Sequence, residues 1–171
     1  MFRSSLRMSA LAVALVTGAV ALSACSSAGL SSFGNNKLDV AEVSDIGSYT
    51  ADRALVQAKA HFRNSDFGHS AAFYKRAAEL QPANAEAYVG LGASYDRLGR
   101  FDLADRVYAS LFKLSGATAQ YYNNVGYSHM LRGDFRQAMA NFRKAQAIDP
   151  ENSVVANNIQ LLRDAAAASQ A

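Results

Sequence analysis

The sequence predicts an all-α protein, an α-solenoid of three helix hairpins followed by a C-terminal capping helix. The first observation behind this prediction is that residue types recur every 34 positions, as in Phe67, Phe101 and Phe135. The second is that the chain has only two prolines, Pro82 and Pro150, and 150 − 82 = 68 is two such intervals. A repeat of 20 to 50 residues with helical patterning is typical of solenoids, in which each unit buries its apolar face against its neighbours.

Each interval is predicted to form two antiparallel helices joined by a short turn. Small residues recur where the two helices of a hairpin would approach closely, and they face small residues on the second helix: Ala58, Gly92 and Gly126 opposite Ser70, Ala104 and Ala138. Proline stops the second helix at Pro82 and Pro150, and Gly116 breaks the chain between them. The helices are expected at 51–64, 67–80, 85–98, 101–114, 119–132 and 135–148.

The last segment, residues 153–171, is predicted to be a capping helix with a frayed tail. Val155, Ile159 and Leu162 form an apolar stripe at helical spacing. A solenoid needs such a helix because the last unit would otherwise expose the apolar face that a further unit would cover.

The three units resemble tetratricopeptide repeats. The resemblance is carried by Tyr88, Leu91, Gly92, Tyr95, Ala104 and Tyr108 in residues 85–118, by Tyr122, Val125, Gly126, Ala138, Phe142, Ala145 and Pro150 in residues 119–152, and by Asp66, Phe67, Tyr74, Ala77, Leu80, Pro82 and Asn84 in residues 51–84. The first unit departs from the pattern at Gln57, where Leu91 and Val125 stand in the later units.

The N-terminal 24 residues are predicted to be a lipoprotein signal peptide that is removed. Arg3 and Arg7 precede an apolar run at residues 8–22 that is shorter than the roughly 20 residues of a membrane-spanning helix. The run ends in Leu-Ser-Ala-Cys at residues 22–25, which resembles the bacterial lipobox. That resemblance implies fatty acylation, palmitate included, at Cys25 and a lipid anchor in the cell envelope. The alternative is an ordinary signal peptide that leaves a free thiol.

Residues 25–50 are expected to be a flexible tether, because they are rich in Ser, Gly and Asn without a sustained period. Residues 37–46 are a candidate short helix that binds back on the repeats. Without residues 1–24 the chain has 17 − 2 = 15 basic and 14 acidic residues. This balance is unlike the basic stripe of a nucleic-acid-binding protein, so no nucleic acid is expected as a partner.

The sequence contains no motif of metalloproteases, serine hydrolases or phosphate-binding loops. His61 and His129 both correspond to Tyr95, so they are interpreted as partly buried packing residues in different units rather than as a metal pair, and His69 is expected to face water. An enzyme, a cofactor, a metal and a small-molecule substrate are therefore not expected. A periplasmic hydrolase subunit that uses His61 or His129 remains a remote alternative.

The first helix of each unit is the candidate lining of a partner-binding groove, as the resemblance implies. The candidates at helical spacing are Leu55, Lys59, Phe62, Glu86, Val89, Ala93, Asp96, Gln120, Asn123, Asn124, Tyr127, Met130, Asn157 and Leu161. Asn123 and Asn124 recur as Asn157 and Asn158, and a carboxamide both donates to and accepts from a peptide backbone. Asn123 and Tyr127 are favoured as groove residues, whereas Asn124 is equally compatible with a role in tying the helices together.

Residues 123–152 and the segment Asn-Asn-Ile-Gln-Leu-Leu at 157–162 resemble the TadD lipoproteins of tight-adherence (Tad/Flp) pilus systems. The resemblance implies an accessory at the periplasmic face of the outer membrane that assists a secretin or another pilus-assembly component. The alternatives are a pilotin of type IV pili and another repeat lipoprotein that serves envelope assembly.

Overall fold

The computed structural model describes residues 39–168, which contain seven α-helices and no strand. The helices are α1 (Ala51–Arg63), α2 (Phe67–Leu80), α3 (Ala85–Arg97), α4 (Phe101–Ser115), α5 (Ala119–Leu131), α6 (Phe135–Ile148) and α7 (Ser153–Ala168). Each of the six helices expected in the repeats ends within one residue of its predicted bound, and the predicted all-α solenoid is confirmed.

The helix bounds follow from local chemistry that recurs with the interval. Six helices begin after a polar side chain that accepts a hydrogen bond from a backbone N–H three residues on: Thr50, Asp66, Asn84, Thr118, Asp134 and Asn152. Such caps pair donors that the helix itself leaves unpaired. The turn inside each hairpin contains one residue with positive φ, namely Ser65, Gly99 or Gly133.

The helices form two layers and two cores. Helices α1, α3, α5 and α7 lie side by side, and α2, α4 and α6 pair with α1, α3 and α5 as hairpins. One core joins the first two hairpins. The other joins Ala138, Phe142 and Ala145 of α6 to the predicted stripe of α7, whose three side chains are all buried. Helix α7 therefore covers the open end of the last hairpin, as expected of a capping helix.

The recurring glycines allow an aromatic ring of the second helix to contact the backbone of the first. A Cβ atom on Gly92 would lie 2.5 Å from Cε1 of Tyr108, and one on Gly126 would lie 2.7 Å from Cδ1 of Phe142. Real Cβ atoms do not approach other heavy atoms this closely, so any larger residue would have to push the ring away.

Residues 39–50 do not form the flexible tether that the sequence suggested. Val40, Val43, Ile46 and Tyr49 pack against the first core. The Tyr49 ring lies 5.0 Å from the ring of Phe73, and Arg76 donates to the carbonyl of Gly47 at 2.8 Å. The predicted binding back on the repeats is thus confirmed for this part. The predicted short helix is wrong for residues 39–45, and the only helix among the described residues 39–50 is a 3-10 turn at Ile46–Ser48.

The signal peptide, the lipobox with Cys25 and the first part of the tether lie outside the described residues, as does the end of the frayed tail at 169–171. Within residues 39–168, none of the helices has both the length and the apolar character needed to span a bilayer.

Candidate partner-binding surface

The first helices of the three hairpins and the capping helix form one surface, because each of α1, α3, α5 and α7 contacts the next. We call the exposed side of these four helices the first-helix face. It carries most of the predicted groove residues. Asn157 and Leu161 are exposed on α7, Gln120 is exposed on α5, and Asn123 is half-buried beside it.

The N-terminal part of the first-helix face carries an ion pair between two predicted groove residues. Lys59 Nζ of α1 lies 2.5 Å from Glu86 Oε1 of α3, and both side chains remain more than a third exposed. Exposed pairs of this kind contribute little to stability. The charges of Lys59 and Glu86 largely cancel each other.

The apolar groove candidates are only partly available to a partner. Phe62 and Val89 are half-buried against the first core, and the Phe62 ring lies 5.3 Å from the ring of Phe67. Tyr127 and Met130 are half-buried against the second core. These four side chains therefore present an edge to solvent and use the rest of their surface for packing.

The C-terminal part of the face contains a polar pocket of about 250 Å³, which we call the carboxamide pocket. It is lined by Gln120, Asn123 and Asn124 of α5 together with Asn152 and Val154 at the start of α7. Asn158 Nδ2 donates to Asn123 Oδ1 at 2.9 Å and so ties α7 to α5. Among the described residues, Asn124 Nδ2 is buried and has no hydrogen-bond partner.

These contacts change the roles expected of the two asparagines. Asn123, favoured for the groove, is already engaged in holding the capping helix. Asn124, whose position is equally compatible with both roles, has the buried donor that lacks a partner among the described residues. Both line the pocket, so they do share one site, and whether they bind a partner stays a prediction.

The prediction that Asp96 faces the groove is wrong. Its side chain is only 3% exposed. Tyr108 Oη donates to Asp96 Oδ2 at 2.8 Å, and Ser128 Oγ donates to Asp96 Oδ1 at 2.6 Å. A carboxylate removed from water requires such donors. Asp96 lies on the side of α3 that faces α4 and α5, and these two helices carry the donors Tyr108 and Ser128.

Asp96 belongs to a polar network between the second and third hairpins that the sequence reasoning missed. Arg132 Nη2 donates to Ser128 Oγ at 2.6 Å, and the same guanidinium binds both carboxylate oxygens of Asp105 at 2.8 and 3.1 Å. Burial raises the pKa of the Asp96 carboxyl to about 6, although the hydrogen bonds from Ser128 and Tyr108 oppose the shift. Burial also raises the pKa of the Tyr108 hydroxyl, and the adjacent Asp96 raises it further.

The three histidines have the expected exposure, but two of them are in contact with each other. His61 is partly buried on α1 and stacks on Phe73, as a packing residue would, and His129 is partly buried on α5 in another unit. The side chain of His69 is 43% exposed, as expected of a residue that faces water, but it also contacts His61 and Asp66.

Comparison with known proteins identifies the repeats. Residues 85–118 and 119–152 each match the tetratricopeptide repeat, so the chain contains tetratricopeptide repeats. It is 26% identical over 125 residues to heat shock protein STI1 of Saccharomyces cerevisiae, which corresponds to 72% of this chain and 21% of that protein. The chain therefore spans about a fifth of the length of this relative.

Solved structures show the same fold. The TPR2B domain of yeast Sti1 in complex with pHsp70 superposes with a TM-score of 0.59 at 19% identity, covering 68% of this chain and 95% of that one. Pseudomonas aeruginosa PilF superposes with a TM-score of 0.56 at 20% identity, covering 66% of this chain and 51% of that one.

Proposed function

We propose that the chain is a scaffold that binds a protein partner on its first-helix face and is held at an envelope membrane by a lipid on Cys25. The observation that carries the binding function is the carboxamide pocket, where Gln120, Asn123, Asn124 and Asn152 meet and the buried Asn124 Nδ2 has no partner among the described residues. A buried donor without a partner is costly, and a bound acceptor would remove that cost.

The dimensions and chemistry of the pocket favour a peptide segment over a small molecule. Its volume of about 250 Å³ lies below the roughly 300–1,000 Å³ of typical small-molecule sites. Carboxamides donate to carbonyls and accept from amides, so they suit the backbone or one polar side chain of an extended segment. Support by analogy comes from the Sti1 domain of the same fold, which was solved with pHsp70.

The envelope location rests on the sequence. The lipobox-like residues 22–25 and the export signal before them favour a lipoprotein at the periplasmic face of the outer membrane. The resemblance of residues 123–162 to TadD lipoproteins favours a secretin or another component of a Tad/Flp pilus as the partner. A type IV pilus pilotin is the second candidate, because a lipid-anchored repeat scaffold would act there by the same mechanism on a different client. A repeat lipoprotein that serves another envelope assembly is also compatible with these features.

Replacing Gln120 and Asn124 together by alanine is expected to weaken partner binding about tenfold or more, since binding energy is concentrated in a few well-placed residues. The matched control is Gln137→Ala with Asn141→Ala, which removes the same two residue types at the same spacing from α6 in the other layer. The measurement is the amount of secretin recovered by affinity purification from native membranes. Equal recovery with the two double variants would contradict the proposed site. If the wild-type protein recovers neither a Tad/Flp secretin nor a type IV pilus secretin, the proposed partner is wrong.

Cys25→Ser is expected to abolish lipidation and to move the protein from the membrane fraction to an unprocessed or soluble form. Two or more acyl chains anchor a protein stably, whereas none leaves only protein contacts. Mass spectrometry of the mature N-terminus and fractionation measure this change, with Ser27→Ala as the control. If the variant remains acylated and bound to membranes, the proposed anchor is wrong. Normal secretin multimers in the variant would show that the anchor is dispensable for assembly.

A further inference from the structure

The turn between α1 and α2 gathers two imidazoles and a carboxylate outside the first-helix face. His61 lies in the last turn of α1, Asp66 caps α2, and His69 lies in the first turn of α2. The chain reverses at Ser65, whose φ of 59° is positive. This reversal places the end of one helix against the start of the next, and so brings together side chains from both helices.

The donor atoms of these three residues converge. His61 Nδ1 lies 2.9 Å from Asp66 Oδ2, and His69 Nδ1 lies 2.9 Å from Asp66 Oδ1. One donor atom from each residue can be chosen so that all three lie within 4.8 Å of one another. The two imidazoles stack with centroids 5.0 Å apart and planes inclined by 20°, so both Nδ1 atoms approach one carboxylate.

We propose that His61, Asp66 and His69 bind a divalent transition-metal ion, with Zn²⁺ the best match. Zinc takes imidazole nitrogen and carboxylate oxygen at about 2.0–2.2 Å, which places neighbouring donors of a tetrahedral site about 3.3 Å apart. The two separations of 2.9 Å are about 0.4 Å shorter than this value, and the upper bound of 4.8 Å is about 1.5 Å longer, so side-chain rotation has to close the three donors around the ion. Imidazole with carboxylate suits zinc and its neighbours in the transition series better than Mg²⁺ or Ca²⁺.

The third hairpin shows that this triad is more than the ordinary chemistry of the turn. His129 and Asp134 stand 68 residues after His61 and Asp66, and there Nδ1 lies 3.4 Å from Asp134 Oδ2. Gln137 stands in the place of His69. The histidine–aspartate pair is thus shared by two hairpins, whereas the second imidazole belongs to the first hairpin alone. The second hairpin has Tyr95, Arg100 and Leu103 at these places.

The site is accessible and leaves room for a further ligand. The three side chains are between 29% and 43% exposed. Three protein ligands leave one tetrahedral position for water or for a side chain of another protein. Metal binding moves each histidine to the tautomer with its proton on Nε2. Because metal ions compete with protons for the imidazole nitrogens, affinity falls in acid.

The first test titrates ZnCl₂ into the full chain, purified in detergent without a histidine tag, by isothermal titration calorimetry at pH 7.5. We expect saturable binding of one equivalent that weakens at pH 5.5. His69→Gln should lower the affinity by about 10- to 100-fold or more, because it removes a ligand. The fold is expected to survive, since Gln137 occupies the same place in the third hairpin. The far-ultraviolet circular dichroism spectrum and the thermal midpoint without zinc verify this.

Two further variants separate the triad from other ligands. His129→Gln should leave zinc binding unchanged, whereas Gln137→His should raise the stoichiometry to two because it completes the same triad in the third hairpin. All variants retain Cys25. If zinc were bound by the Cys25 thiol instead of by the triad, the His69→Gln variant would still bind it. Wild-type protein that shows no saturable binding, or a folded His69→Gln variant that binds zinc as tightly as wild type, would overturn the proposal.

Discussion

Replacing Gly126 by leucine is expected to lower the free energy of unfolding by about 1–3 kcal/mol or more. Even the Cβ atom would lie 2.7 Å from both Cδ1 and Cε1 of Phe142 and 3.2 Å from the carbonyl oxygen of Ala138. Phe142 and Ala138 are completely buried, so neither can move aside into solvent. The two helices of the third hairpin would have to separate, and the second core would lose the packing of Phe142 against α7.

Alanine at position 126 gives a sharper test, because the two relevant effects have opposite signs. In a helix interior, glycine is about 1 kcal/mol less favourable than alanine, so Gly126→Ala would stabilise the protein if the site were open. The close approach predicts a net loss instead. The control is Gly47→Ala, where a Cβ atom meets nothing within 4 Å and φ is not positive. Urea unfolding of both variants measures the difference, and a stabilised Gly126→Ala would disprove the close contact.

The helix bounds could be predicted because they depend on neighbours in sequence. Capping residues such as Thr118 and Asp134 act within three positions, and Gly99 and Gly133 supply the positive φ of their turns. Proline and glycine restrict the backbone wherever they occur. The 34-residue interval then repeats these local signals. A helix bound that is ambiguous in one unit can therefore be inferred from the equivalent position in the next.

The packing of residues 39–50 on the repeats was only partly predicted. The polar composition of residues 25–50 indicated a tether, and the spacing of the apolar residues in its second half was not used. Serine, glycine and asparagine in the first half suggested a tether for the whole segment. Val40, Val43, Ile46 and Tyr49 stand three residues apart, and all four pack on the first core. That spacing was a signal for one buried side of the segment, and it was available in the sequence.

The polar interior was beyond sequence reasoning because its contacts link positions far apart. Asp96 stands at the repeat position of Phe62 and Met130, and its helix face alone suggested the groove. What buries it are donors 12 and 32 residues away, Tyr108 and Ser128. The charged residue in an otherwise apolar series was the available signal. The contact of His69 with His61 was missed for a related reason, since each histidine was assigned from its own helix.

The Asp96 network links the second and third hairpins of the solenoid by buried hydrogen bonds. Asp96 lies on α3, its two donors lie on α4 and α5, and Arg132 at the end of α5 binds back to Asp105 of α4. Removing a donor would leave the buried carboxylate underpaired, which costs more than an exposed hydrogen bond is worth. The network therefore favours one relative placement of the two hairpins.

The raised pKa of Asp96 predicts that stability falls as pH rises from about 4.5 to 7.5. The folded-state pKa of about 6 exceeds the ordinary value of 3.8, so the native state holds the proton more tightly than the unfolded chain. Where the native state binds more protons, the free energy of unfolding decreases with pH. A shift of about two units corresponds to roughly 3 kcal/mol in total, which is lost as pH rises from below 3.8 to above about 6, so about 2 kcal/mol of it falls within this window. The hydrogen bonds from His69 and His61 lower the pKa of Asp66 despite the opposing effect of burial. Because the folded-state pKa of Asp66 lies below its ordinary value, the stability that Asp66 contributes is lost as pH falls, and only at a pH below this window.

Asp96→Asn is expected to remove most of this decline, because an amide has no charge to bury at neutral pH. Its Oδ1 can accept from Ser128 while its Nδ2 donates to the oxygen of Tyr108, so the network keeps both contacts. The variant should therefore equal wild type at a pH below 3.8, and its free energy of unfolding should exceed that of wild type increasingly up to pH 7.5. Asp164→Asn, at an exposed position on α7, should retain the wild-type slope. Parallel pH profiles for wild type and Asp96→Asn would show that the buried carboxyl titrates like an exposed one. The proposed effect of burial on the pKa of Asp96 would then be wrong.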